Sequence, residues 1–130
     1  MLCLGASADI LYSEGYQNGE YPPDFKKVYE IEIAEGKQMK IQFTSFDLEP
    51  PNYGDCFDFV IIYDGEDVDG DGLGDDILLP ETCGDKLPGI LTSKSNKVQV
   101  YFESDIRVQK KGWRFVYSET QYSKSKNGKK

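Results

Sequence analysis

The chain has 130 residues, 38% of them hydrophobic and 13% aromatic, enough apolar material for the packed core of one domain. Its 15 basic and 23 acidic residues give a net charge of −8, which argues against nucleic acid or anionic membrane as partners. Cations, or basic patches on other proteins, are the expected counterparts. The sequence contains no histidine, so Ser-His and Cys-His nucleophiles, histidine-zinc hydrolase motifs and imidazole proton shuttles are excluded. Carboxylate-pair chemistry survives that test, but nothing else in the sequence supports an enzyme.

Met-Leu-Cys-Leu-Gly-Ala-Ser-Ala at the start is similar to the tail of a secretion signal, with an Ala-x-Ala cleavage site at Ala6-Ser7-Ala8. It is too short for a whole signal, so residues 1–8 read as a remnant; the alternative is an arbitrary start. Under either reading Cys56 and Cys83 remain as a pair apart from Cys3, and an oxidising compartment makes one disulfide of them. No apolar run approaches the length of a membrane span.

Asp9 to Tyr12 suggests a short first strand. From Ser13 to Lys27 the chain is polar and turn-rich, with Asn18-Gly19 and Pro22-Pro23, and is expected to wrap rather than pair. Tyr29, Ile31 and Ile33 alternate with charged or small residues, and Met39, Ile41 and Phe43 alternate after Glu35-Gly36. This pattern predicts a hairpin with one wet face. Phe57 to Tyr63 is aromatic and β-branched and ends at Asp64-Gly65, which predicts a strand buried on both faces and closed by a turn. Ile77 to Leu79 restarts apolar structure, Pro88-Gly89 turns the chain, and Val98, Val100 and Phe102 alternate up to Glu103-Ser104-Asp105. Trp113, Phe115 and Tyr117 form the last alternating run, and beyond Ser118 the chain is a polar, basic tail or linker. Short alternating strands with turns between them, and no helical periodicity, mean an all-β sandwich.

Phe57–Tyr63 is the strand around which the chemistry is expected to gather. Glu49 ends the apolar segment before it, and Asp58 enters it beside Cys56. If the intervening loop folds back, the two carboxylates meet at one end of a sheet. They then need a proton, a cation or a partner's charge to neutralise them. Spacing alone also allows the plainer reading, and favours it: polar residues at loop ends, with Glu49 solvated.

Taken in order, the motifs carry a resemblance. Tyr21-Pro22, Tyr29-Glu30-Ile31, Glu35-Gly36, Phe43 with Phe46-Asp47-Leu48-Glu49, and Cys56 with Asp58 lead into Tyr63-Asp64-Gly65. Cys83-Gly84, Phe102 with Ser104-Asp105, and Gly112-Trp113 through Tyr117 follow. Over roughly residues 10–117 the sequence resembles a CUB domain, and in its single cysteine pair the leading CUB modules of complement-type serine proteases. The resemblance implies a two-sheet antiparallel β-sandwich of jelly-roll type over residues 9–118, with residues 119–130 as tail. It also implies secretion and membership in a larger protein. Where the family has a second disulfide, its cysteine would fall at Lys27, and Cys3 has no partner here.

The calcium-binding branch of that family is marked by a tyrosine, a glutamate and two aspartates, which match Tyr21, Glu49, Asp58 and Asp105. The resemblance implies that Glu49, Asp58 and Asp105 ligate Ca²⁺, that Tyr21 braces them through its hydroxyl, and that Arg107 donates its backbone carbonyl. Arg107 stands where the family usually has serine, so a cationic side chain accompanies that carbonyl. Three carboxylates from separate strand ends suit the hard, oxygen-loving chemistry of Ca²⁺ without thiolate or imidazole. A second candidate is Asp67, Asp69, Asp71 and Asp75, at the first, third, fifth and ninth places of an acidic loop with Gly72 sixth. Its twelfth place is Leu78 instead of a glutamate, so that cage is incomplete, and a solvated acidic hairpin tip is the alternative.

Function is therefore expected to be non-enzymatic: a calcium-dependent module that captures an exposed lysine on a protein partner. An acidic matrix component that holds many calcium ions weakly is the structural alternative, separable by the number and strength of its sites. A carboxylate-pair glycan hydrolase would need an enclosed cleft and turnover.

Overall fold

The computed structural model describes residues 8–120. The signal-like start through Ser7, with Cys3, lies outside the described residues, as do residues 121–130 of the expected tail. Eight strands form: β1 (Asp9–Tyr12), β2 (Phe25–Glu32), β3 (Gln38–Asp47), β4 (Phe59–Asp64), β5 (Asp76–Thr82), β6 (Leu91–Thr92), β7 (Lys97–Ser104) and β8 (Gly112–Thr120). A single 3₁₀ turn at Tyr16–Asn18 is the one helical element among the described residues. The strands make two four-stranded antiparallel sheets, ordered β1-β8-β3-β6 and β2-β7-β4-β5. This is the all-β sandwich expected from the alternation.

The inward side chains of both sheets form one core. Met39, Ile41, Phe43, Phe46, Trp113 and Phe115 come from the first sheet, and Tyr29, Ile31, Val60, Ile62, Val100 and Phe102 from the second. A bulge at Thr44 shifts the register between Phe43 and Ser45, so Phe43 and Phe46 both point inward although three positions separate them. Trp113 ties the sheets together: its ring stacks on Phe115 at 5.5 Å and meets Tyr29 edge-on at 5.1 Å.

Three sequence expectations are corrected. β2 and β3 do not form a hairpin, because β2 pairs with β7 along its whole length while β3 pairs with β8 and β6 in the other sheet. The alternating pattern fits either arrangement, since two strands whose apolar faces meet across a core have the same period as two that lie side by side. Asn96 fixes the crossover by accepting from the Ile33 N–H at 2.9 Å through its carbonyl and donating its side-chain amide to the Ile33 carbonyl at 3.0 Å. β4 is not buried on both faces either. Val60 and Ile62 are buried, while Phe59, Ile61 and Tyr63 are half-buried and face outward. The turn-rich segment after Ser13 also begins to pair at Phe25, earlier than its polar composition suggests.

The acidic insertion between β4 and β5 folds back over the outer face of the second sheet. Gln99 holds it there, donating to the Gly65 carbonyl at 2.9 Å and accepting from the Gly74 N–H at 2.7 Å. The approach needs a glycine, because a Cβ at Gly74 would sit 2.5 Å from the Asp64 carbonyl oxygen. Asp64 is itself buried, accepting from the Lys94 N–H at 2.7 Å and the Ser95 hydroxyl at 2.7 Å. It pins the β6–β7 loop.

Cys56 and Cys83 are joined, with Cα atoms 5.8 Å apart. The bridge closes a loop with a sequence separation of 27, for which loop-closure entropy gives about 3–4 kcal/mol. A double Cys56→Ala/Cys83→Ala variant should therefore unfold more than about 10 °C below the parent in a thermal scan. A midpoint within a degree or two of the parent's would show that the bridge contributes little.

Candidate metal centre

Strand register assembles the site. Because β4 and β7 pair antiparallel with Phe59 opposite Glu103, the residue before β4 lies beside the residue after β7. These are Asp58 and Asp105. Glu49 follows β3 on the other sheet and is tied in by backbone bonds next to the disulfide: the Leu48 N–H donates to the Gly84 carbonyl at 2.9 Å, and the Gly84 N–H to the Glu49 carbonyl at 3.3 Å. The bridge thus holds the Glu49–Asp58 loop against the end of β5. The fold-back that the sequence only allowed is present.

Tyr21 joins the parts. Fully buried, it donates its hydroxyl to Asp58 Oδ2 at 2.6 Å and accepts the Glu49 backbone N–H at 3.2 Å. Asp58, also fully buried, accepts the Asp105 N–H on Oδ1 at 2.9 Å. Asp105 in turn accepts the Arg107 N–H at 3.0 Å. Glu49 Oε1 is different: it is buried and has no hydrogen-bond partner among the described residues. A buried carboxylate oxygen left unpaired is costly, which makes Glu49 Oε1 a candidate ligand atom.

Glu49, Asp58 and Asp105 each bring one oxygen to within 4.8 Å of the others. Oxygens around one Ca²⁺ lie 2.3–2.6 Å from it, hence at most about 5 Å apart, so the cluster can share one ion. The donors are hard oxygens, with neither thiolate nor imidazole, which is the set that Ca²⁺ prefers. Burial pushes the Glu49 carboxyl above its usual value, the charges of Asp58 and Asp105 push it further, and Arg107 and Lys110 act against the rise. Burial also raises Asp58, against the hydrogen bonds from Tyr21 and from the Asp105 N–H. The same desolvation, with the Asp58 carboxylate beside it, raises Tyr21 far out of its titration range, so the phenol stays a donor.

The Arg107 carbonyl accepts a hydrogen bond from the Gln109 side-chain amide; a carbonyl has two lone pairs, so one is left for a metal. Arg107 lines a pocket of about 160 Å³ with Glu49, Asn52, Phe57 and Asp105. Asn52, Phe57 and Gln109 were not singled out in the sequence, because only the loop conformations bring them to the site. The acidic loop forms no comparable cluster among the described residues. Asp67 instead accepts the N–H groups of Gly70 at 2.7 Å, Asp71 at 3.1 Å and Gly72 at 2.8 Å, and Asp71 accepts that of Leu73 at 3.0 Å. Asp69 and Asp75 complete the stretch, and burial with the neighbouring acids raises Asp75.

A disulfide-bonded β-sandwich with three carboxylates gathered at one end of its sheets is thus the class of module that fold and site define. A family model for the CUB domain matches residues 4–117, and the chain belongs to the CUB domain family. It is 30% identical to human cubilin over 115 residues, covering 88% of this chain and 3% of cubilin. It is 37% identical to the Drosophila melanogaster dorsal-ventral patterning protein tolloid over 94 residues, 72% of this chain and 8% of that protein. The chain therefore spans a small part of the length of these relatives. Among solved structures, the MASP-1 CUB2 domain bound to Ca²⁺ superposes with a TM-score of 0.69 at 27% identity, over 88% of this chain and 94% of that one. The full extracellular region of zebrafish Gpr126 gives 0.71 at 28% identity, over 92% of this chain and 14% of that one. No helix among the described residues is long and apolar enough to cross a membrane.

The raised carboxyls make a signed prediction for calcium-free protein. Between the ordinary carboxylate range and their raised native values, Glu49 and Asp58 hold protons that the unfolded chain has released. Native protein therefore gains stability as pH falls through that window and loses it as pH rises. In chelator, thermal scans stepped down in pH toward the ordinary carboxylate range should show this gain, and Glu49→Gln should show a shallower one. Parallel profiles for the two proteins would remove Glu49 from the account.

Proposed function

We propose that this chain is an extracellular, non-enzymatic interaction module in which Glu49, Asp58 and Asp105 hold one Ca²⁺ and the loaded site captures a lysine of a protein partner. The observation that carries this reading is the unpartnered Glu49 Oε1 beside two further carboxylates. The calcium-bound state of the similar MASP-1 CUB2 domain supports it. In this reading Tyr21 orients Asp58, the Arg107 carbonyl adds a neutral oxygen, and the domain works within a longer secreted protein, as the small share of its relatives it spans suggests.

Bound calcium supplies two positive charges, so the three carboxylates keep about one net negative charge. Carboxylate lone pairs that face away from the metal still accept hydrogen bonds. A lysine ammonium brings three donors on a compact charge and suits these lone pairs better than a planar guanidinium does. Without the cation the same carboxylates repel one another and partly protonate, which removes both the geometry and the charge that an ammonium needs.

Calcium at ten times its dissociation constant should raise stability by about 1.4 kcal/mol. Glu49→Ala and Asp105→Ala should each lower calcium affinity at least tenfold in calorimetry. Both should lose attachment to a lysine-bearing ligand in parallel, and chelator should mimic them. Attachment that survives chelation would place the partner on another surface and leave the carboxylates a purely structural role.

A further inference from the structure

The pocket beside the carboxylates is mixed in sign. Two acidic residues, Glu49 and Asp105, share its lining with the basic Arg107 and with Asn52 and Phe57. The Arg107 side chain is exposed and forms no ion pair among the described residues. With three carboxylates and one Ca²⁺ the site keeps about one negative charge, and Arg107 cancels it at the pocket mouth. A lone ammonium then meets little net field. A ligand with a carboxylate near its ammonium satisfies both walls, because guanidinium pairs with carboxylate through two parallel hydrogen bonds.

We infer that Arg107 is a specificity-determining residue, selecting a lysine with an acidic residue two positions further on over an isolated lysine. The inference rests on the proposed lysine capture and deepens it. Asp105 and Arg107 are two positions apart on one short segment and line one pocket, so the charges they engage belong on one face of an extended partner segment, two positions apart. Phe57 is 42% exposed and offers an apolar surface to the lysine stem.

The experiment uses two capped hexapeptides, Gly-Gly-Lys-Gly-Glu-Gly and Gly-Gly-Lys-Gly-Gln-Gly, titrated into protein whose calcium occupancy is measured by calorimetry. The parent should bind the Glu peptide about fivefold more tightly than the Gln peptide, the size of a partly solvated ion pair. In Arg107→Ala the ratio should fall to about one, with the Gln peptide bound no less tightly than by the parent. Arg107→Lys, which keeps the charge but not the fork, should retain part of the preference. Equal affinities for both peptides in the calcium-loaded parent would overturn the inference and leave lysine capture standing. Failure of calcium-loaded parent to bind either peptide would overturn lysine capture, and the inference with it.

Discussion

Asp58 has no exposure to solvent, yet it is a carboxylate, and the way it is held organises the rest of the site. One oxygen takes the Tyr21 hydroxyl and the other the Asp105 backbone N–H. These two bonds do not replace full hydration of a charge, and burial still raises the group. A buried anion in this position calls for a proton or a cation, and the nearest groups, Glu49 and Asp105, make the deficit larger. The fold has accepted a local instability there. That instability is the physical basis of the proposed calcium dependence.

The scaffold explains how such a cluster persists. Glu49 reaches Asp58 across two sheets because the Cys56–Cys83 bridge and the Leu48–Gly84–Glu49 backbone bonds hold the connecting loop. Tyr21 is locked against Phe102, edge-on at 5.2 Å, so its hydroxyl cannot swing away. Gly112 closes the other flank. It has φ of 111°, where side chains are strained, and a Cβ there would overlap Ser13 Oγ. Ser13 uses that space to accept the Trp113 N–H at 3.0 Å, while its own N–H donates to the Trp113 carbonyl at 2.9 Å. Core packing, disulfide and metal-type site are therefore mechanically one unit.

The alternating strands and the cysteine pair were legible in the sequence, because period-two burial and paired thiols leave direct marks. Partner choice between strands was not. The apolar face of Tyr29 and Ile31 looks the same whether its neighbour is β3 or β7, and only long-range pairing decides. At the site, residue types were readable and surroundings were not. Glu49 and Asp58 could be singled out, but the partial burial of one and the complete burial of the other depend on loop geometry. Gln99 shows the same limit: nothing in an alternating strand marks a glutamine as the clamp for an eleven-residue acidic loop spanning 66–76. Arg107 was noticed as a misplaced cation, and the pocket gives that cation a place to act.

A crystal structure of the protein grown with calcium tests the central claim most directly. One ion should stand 2.3–2.6 Å from oxygens of Glu49, Asp58 and Asp105, with Glu49 Oε1 turned to it and water completing the shell. Water alone among these carboxylates at saturating calcium, or an ion held only by the Asp67–Asp75 loop, would contradict it.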